Sequence, residues 1–149
     1  MLPTRNNDTI MELDGRIEKF IGKHNVLTLA TATEEGAPYC CNLFYAYDKD
    51  DKAFVFTSGP DTRHARMLAR NALTAASIVL ETRVVGKVQG LQITGRTAPA
   101  AERDKSLYLK KFPYAALADL NLWRMEAETM KLTDNTLGFG KKLIWQRQE

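Results

Sequence analysis

Between residues 53 and 70 the chain reads AFVFTSGPDTRHARMLAR, and the stretch from 57 to 64 gathers Thr57, Ser58, Asp61, Thr62, Arg63 and His64. The run opens as a strand, turns at Gly59-Pro60 and continues as a helix capped by Asp61 or Thr62. A helix N-terminus presents unpaired amide hydrogens and partial positive charge, so cations in its first turn are an unfavourable choice unless an anion joins them. Hydroxyls, amides and a guanidinium around one small volume are the donor set of a phosphate site. The bland alternative is that Arg63, Arg66 and Arg70 form a solvated helix face, and spacing alone does not choose between the two.

Other chemistry has weaker support. The chain has two histidines, His24 and His64, far apart and without Cys, His or Glu at ligand spacing, so no metal site is expected. No GxSxG elbow supports a serine nucleophile. Gly138-Phe-Gly-Lys-Lys142 is too short for a phosphate loop of GxxxxGK[ST] type and precedes a strand, so it reads as a turn. Cys40 and Cys41 are adjacent and would point to opposite faces of a strand, which suits two small buried or half-buried hydrophobes better than a disulfide.

The elements that must position these residues follow from periodicity. Ile10–Lys23 carries apolar residues at helical spacing. Val26–Thr33 is a strand, Glu34–Pro38 a hairpin turn and Tyr39–Asp48 a second strand. Its alternation sets Tyr39, Cys41, Leu43, Tyr45 and Tyr47 against Cys40, Asn42, Phe44 and Ala46. Lys52–Ser58 is the third strand, and a helix over about 62–71 buries Ala65, Leu68, Ala69 and Ala72. Strands over 73–82 and 88–98 flank a turn at Gly86-Lys87. A helix from Pro99 to Phe112 follows, then a strand over Asn121–Asp134 that sets Trp123, Met125, Ala127 and Thr129 on one face, and a last strand over Leu143–Gln146. The expected fold is α+β, mainly β: a six-stranded antiparallel split barrel with short helices, one domain over 1–149 with residues 1–9 flexible.

Composition agrees with a soluble globular chain: 149 residues, 44% hydrophobic, 26% charged and a net charge of +3. Basic residues are interspersed with acids, so nucleic acid is not an expected partner; a stripe of Arg63, Arg66, Arg70, Lys141 and Lys142 would be needed for it. No apolar run approaches the roughly 20 residues of a membrane span, and the N-terminus lacks a signal-peptide stretch, so the expected compartment is the cytoplasm.

The succession of a helix, VLTLATATEEGAPYCCNLFYAYD, AFVFTSGPDTRHARML and LQITGR resembles the pyridoxamine phosphate oxidase-like, split-barrel flavin-binding superfamily. The tail KLTDNTLGFGKKLIWQR and the Thr-Arg-His of the junction resemble its YhbP-like branch, and the likeness covers roughly residues 10–147. The resemblance implies FMN as cofactor and a homodimer with the flavin at the subunit interface. It implies that Thr57 and Ser58 contact the ring or ribityl chain, and that Thr62, Arg63 and His64 hold the phosphate, His64 standing where many relatives have lysine. Gln92 would lie near the ring, with Asn42 and Phe44 lining it; Phe44, Tyr45, Trp123 and Trp145 are candidates for an apolar wall. The implied activity is flavin-dependent oxidoreduction of a small molecule, with no catalytic acid or base assigned. A second reading stays open, a non-enzymatic split-barrel binding protein with weak or no flavin affinity, because a neutral imidazole supplies less charge than lysine.

Overall fold

The computed structural model describes residues 12–148. Eight strands form one antiparallel sheet: β1 (Val26–Ala32), β2 (Pro38–Phe44), β3 (Ala46–Asp48), β4 (Ala53–Thr57), β5 (Leu73–Leu80), β6 (Gln89–Pro99), β7 (Leu122–Asp134) and β8 (Lys142–Gln146). Their spatial order is β2-β1-β5-β6-β7-β4-β3. The long β7 pairs with β4 through its N-terminal half and with β8 through its C-terminal half. The edges β2 and β3 are joined in sequence by Tyr45 alone. Two Cα steps span about 7 Å at most, so the two edge strands meet end to end at Tyr45 and the sheet curls round on itself into a split barrel.

Eight strands stand where six are expected, partly because the strand expected over Tyr39–Asp48 is two. Alternation fails at the seam: Tyr45 and Ala46 are both buried. The Tyr45 hydroxyl donates to the Ile21 carbonyl at 2.7 Å and its N–H to the Asn25 carbonyl, which turns the chain from one edge to the other. Cys41 is half-buried as expected, whereas Cys40 is exposed on the outer face of β2.

Among the described residues three α-helices close the barrel. The first, α1 (Gly15–Lys23), plugs one end with Ile17, Phe20 and Ile21. It begins later than expected because Asp14 caps it, accepting the Arg16 N–H; hydrogen bonds from Arg16 hold the Asp14 carboxyl down at about 2. Ile10 and the tail over 1–9 lie outside the described residues. In α2 (Arg63–Arg70) the buried residues are Ala65, Met67 and Leu68, with Met67 against Thr31 of β1, while Ala69 and Ala72 are exposed, Ala72 lying beyond the helix end at Asn71. The last, α3 (Glu102–Lys111), starts three residues after Pro99, which instead ends β6 opposite Trp123. Asp104 accepts the Ala101 N–H at that start.

The register between β6 and β7 shifts at Thr94/Gly95: Thr94 faces Thr129, Gly95 faces Ala127, and Glu128 has no opposite residue. This bulge reverses the face of every later residue. Trp123, Met125 and Ala127 point inward as expected, but beyond it the buried residues are Met130 and Leu132 and not Thr129. Gly95 is required here, since a Cβ would overlap the Glu126 carbonyl oxygen.

Candidate functional site

The turn between β4 and α2 is held from below by the residue preceding β7. The Ser58 N–H donates to the Asn121 carbonyl at 3.0 Å, and the Asn121 side-chain amide returns a bond to the Ser58 carbonyl at 2.8 Å. The Asn121 N–H donates to the Thr57 hydroxyl oxygen at 3.1 Å. Thr62 then caps α2, its hydroxyl donating to the Gly59 carbonyl at 2.7 Å and accepting from the Ala65 N–H at 3.3 Å. The N–H groups of Arg63 and His64 have no acceptor among the described residues. They remain available at the helix's positive end.

The three arginines of α2 have different fates. Arg66 donates to the Asp61 carbonyl, and Arg70 pairs with Glu34 at 3.3 Å on the open surface. Arg63 lies over the ring of Tyr39, 4.4 Å from guanidinium carbon to ring centroid, and has no carboxylate partner among the described residues. With Thr33, Glu34, Glu35, Arg66, Met67 and Arg70 it lines a shallow depression of about 290 Å³. The solvated-face reading therefore fits Arg66 and Arg70, while Arg63 is a cation stacked in place with its donors unspent. His64 is turned the other way. Its Nε2 lies 2.8 Å from the buried Ser58 Oγ and 3.4 Å from the Thr62 Oγ1, and burial lowers its pKa below the ordinary 6.5.

The remaining expected site residues lie on the outer face of the sheet. Registers align Asn42, Thr28, Ser77, Gln92, Lys131 and Ile144 in one row across β2, β1, β5, β6, β7 and β8. The Asn42 side-chain oxygen accepts from the Thr28 hydroxyl at 2.7 Å. Gln92 borders a trough of about 560 Å³ among small side chains, flanked by Lys131 and Ile144. Asn42 and Gln92 are three strand spacings apart, about 14 Å. Asn42 also lies three residues up β2 from Tyr39, on the opposite face. One chain thus brings Thr57, Ser58, Thr62, Arg63 and His64 together, and does not bring Asn42 and Gln92 to them. Of the four candidate wall aromatics, Tyr45, Trp123 and Trp145 are core residues; Phe44 is 56% exposed at the end of β2, edge-on to Phe112.

Tyr39 and Asn121 were not singled out from the sequence. Each acts across a distance in the chain, 24 and 63 residues from its partner, and neither carries a local signal. Among the described residues no group of three His, Cys, Asp or Glu is placed to hold a metal ion, and no helix is long and apolar enough to cross a membrane. The thiol of Cys41 is pushed up to about 11 by burial.

A family model described as pyridoxamine 5'-phosphate oxidase matches residues 13–134. The chain is 35% identical over 141 residues to the UPF0306 protein YhbP of Escherichia coli, covering 92% of this chain and 100% of that one. Its fold is similar to a haem-binding protein from Mycobacterium smegmatis (TM-score 0.70, 20% identity, 85% of this chain and 55% of that one). It is also similar to an FAD-binding protein from Mesorhizobium loti (TM-score 0.67, 17% identity, 80% of this chain and 92% of that one).

Proposed function

We propose that this chain, which belongs to the pyridoxamine 5'-phosphate oxidase family of split barrels, binds FMN and serves in the cytoplasm as an oxidoreductase for a small molecule. The observation that carries the reading is Arg63, stacked on Tyr39 without a carboxylate partner beside two unspent amides at the start of α2. A phosphate monoester fits this donor set, because a guanidinium and helix N-terminal amides together satisfy its oxygens with charge-assisted bonds. Thr57 and Ser58 at the end of β4 would border the ribityl chain, and Thr62 would fix the turn beneath the phosphate.

Flavin, when bound, supplies electron-pair or single-electron transfer that no side chain here can perform. The chain's own residues bind and orient it, stacking Arg63 so that it is pre-set for the phosphate, and shield one end of the site with the α2 cap. Asn42, Phe44 and Gln92 belong to the ring side of this reading, and they lie on another surface. A homodimer reconciles the two groups, with a second copy bringing an outer sheet face to the junction. Val26, Phe44, Leu73, Val79 and Ile144 are large apolar residues left exposed on that face. A stable interface covers about 800 Å² per partner, which a sheet face of this kind could supply.

A haem reading has less support, because it rests on the likeness to a haem-binding protein at 20% identity, which carries the fold alone. A non-enzymatic barrel with weak flavin affinity has one observation in its favour: His64 sits half-buried, and burial favours its neutral ring. The visible absorbance of the purified full-length protein, before and after incubation with FMN, tests the proposal. Bound-flavin bands that persist through gel filtration support it, and a colourless protein that cannot be reconstituted supports the non-enzymatic reading.

A further inference from the structure

His64 occupies the second position of α2, from which a cation could reach an anion at the helix start, yet its ring folds back over the turn that precedes the helix. Ser58, the residue that follows β4, is only 4% exposed. Its hydroxyl needs a partner, since an unpaired buried hydroxyl costs more than a hydrogen bond returns. The imidazole provides it, with Nε2 2.8 Å from Ser58 Oγ and 3.4 Å from Thr62 Oγ1. Those hydroxyls belong to the first and last residues of the Ser58–Thr62 turn, so one ring bridges both ends of it. Charged groups nearby point elsewhere: Arg63 lies on Tyr39, and Arg66 donates to the Asp61 carbonyl.

We propose that His64 is a positioning residue that latches the Ser58–Thr62 turn from within, holding the α2 amides and Arg63 in place for the phosphate without contacting the phosphate itself. The ligand in this statement rests on the FMN reading; the latch is a property of the free protein and can be tested apart from it. The role uses the hydrogen-bonding capacity of Nε2 and not the charge of the ring. An amide of matching reach should therefore replace it, and the hydroxyl it binds should share its effect.

Amide hydrogen exchange at Thr62, Ala65 and Arg66, whose N–H groups are bonded within the turn and first helical turn, tests the latch in the free full-length protein, comparing wild type with Ser58→Ala, His64→Ala, the double variant and His64→Gln. Exchange should accelerate roughly three- to tenfold in either alanine variant, the range of one net hydrogen bond. The double variant should be no faster than either single one, because both remove the same interaction, and His64→Gln should stay near wild type. In FMN titrations the same order should hold, with His64→Gln binding FMN about as well as wild type. Unchanged exchange in all variants, or FMN affinity lost in His64→Gln while its exchange stays at the wild-type rate, would overturn the latch. Altered exchange in a protein that binds no FMN at any pH would uphold the latch and refute the cofactor reading instead.

Discussion

Arg124→Met should be among the most destabilising single changes outside the apolar core. Arg124 lies on the face of β7 covered by α3 and is 8% exposed. Its guanidinium reaches Asp104 at 2.6 Å, Asp51 at 2.7 Å and Asp48 at 3.0 Å, tying α3 and the β3–β4 turn to the sheet. Asp104 is 1% exposed and would keep only the Ala101 N–H. Leaving one partner of a buried pair uncompensated costs about 3–5 kcal/mol. Asp48 and Asp51 are more open and rehydrate, so they add little. With an m-value of about 2 kcal/mol/M, the urea midpoint followed by tryptophan fluorescence should fall by about 2 M. The Asp51 carboxyl is held below its ordinary value, chiefly by its hydrogen bond from Arg103 and also by the charge of Arg124. A lowered folded-state value means that its contribution is complete above about pH 4 and is lost as pH falls further. The small part of the gap that comes from Asp51 should therefore fade towards acid. A loss below about 1 kcal/mol at pH 7 would place the pair in the class of weak surface bridges. A gap that widens on acidification would likewise refute the reasoning.

Gly95→Ala forces β6 away from the Glu126 carbonyl at the bulge and should cost about 1–3 kcal/mol in chemical denaturation, as overpacking does; a neutral result would mean that the bulge can slide. Arg63→Ala should weaken FMN by about 1.5–3 kcal/mol, the range for hydrogen bonds to charged groups, and leave riboflavin binding unchanged; equal losses for both ligands would indicate an effect on folding or the ring site. Light scattering at micromolar concentration should give twice the 16.8 kDa chain mass. Ile144→Glu should shift it towards monomer, since Ile144 is 74% exposed within one chain and its replacement there should cost little; a wild-type monomer would remove the shared-site arrangement.

Most of the barrel was legible because its strands are bounded by turn residues, so β4, the span of α2 and the β7–β8 loop fall close to where Gly59-Pro60, Asn71 and Gly138 imply. Three features were not, each for a physical reason. The seam at Tyr45 lies inside an unbroken alternation, and only the Ile21 and Asn25 carbonyls reveal why the chain changes edges there. The bulge at Glu128 depends on what β6 places opposite β7, which periodicity within β7 cannot encode. Met67 turns inward because β1 offers it a partner that periodicity within the helix cannot show, its Sδ accepting from the Thr31 hydroxyl at 3.6 Å. In the site, spacing located Arg63 and His64 on the first turn of α2 but not their directions. Tyr39 draws one along the surface and Ser58 draws the other inward, and both partners are distant or ambiguous in sequence.

Calorimetric titration of the dialysed full-length protein with FMN, with riboflavin in parallel, tests the central claim most directly. The account predicts one FMN per chain with a Kd at or below about 1 μM, near −8 kcal/mol, and riboflavin binding weaker by the phosphate's share. Failure to bind FMN at concentrations of about 100 μM, or equal affinity for FMN and riboflavin, would contradict a phosphate-anchored flavin at the start of α2.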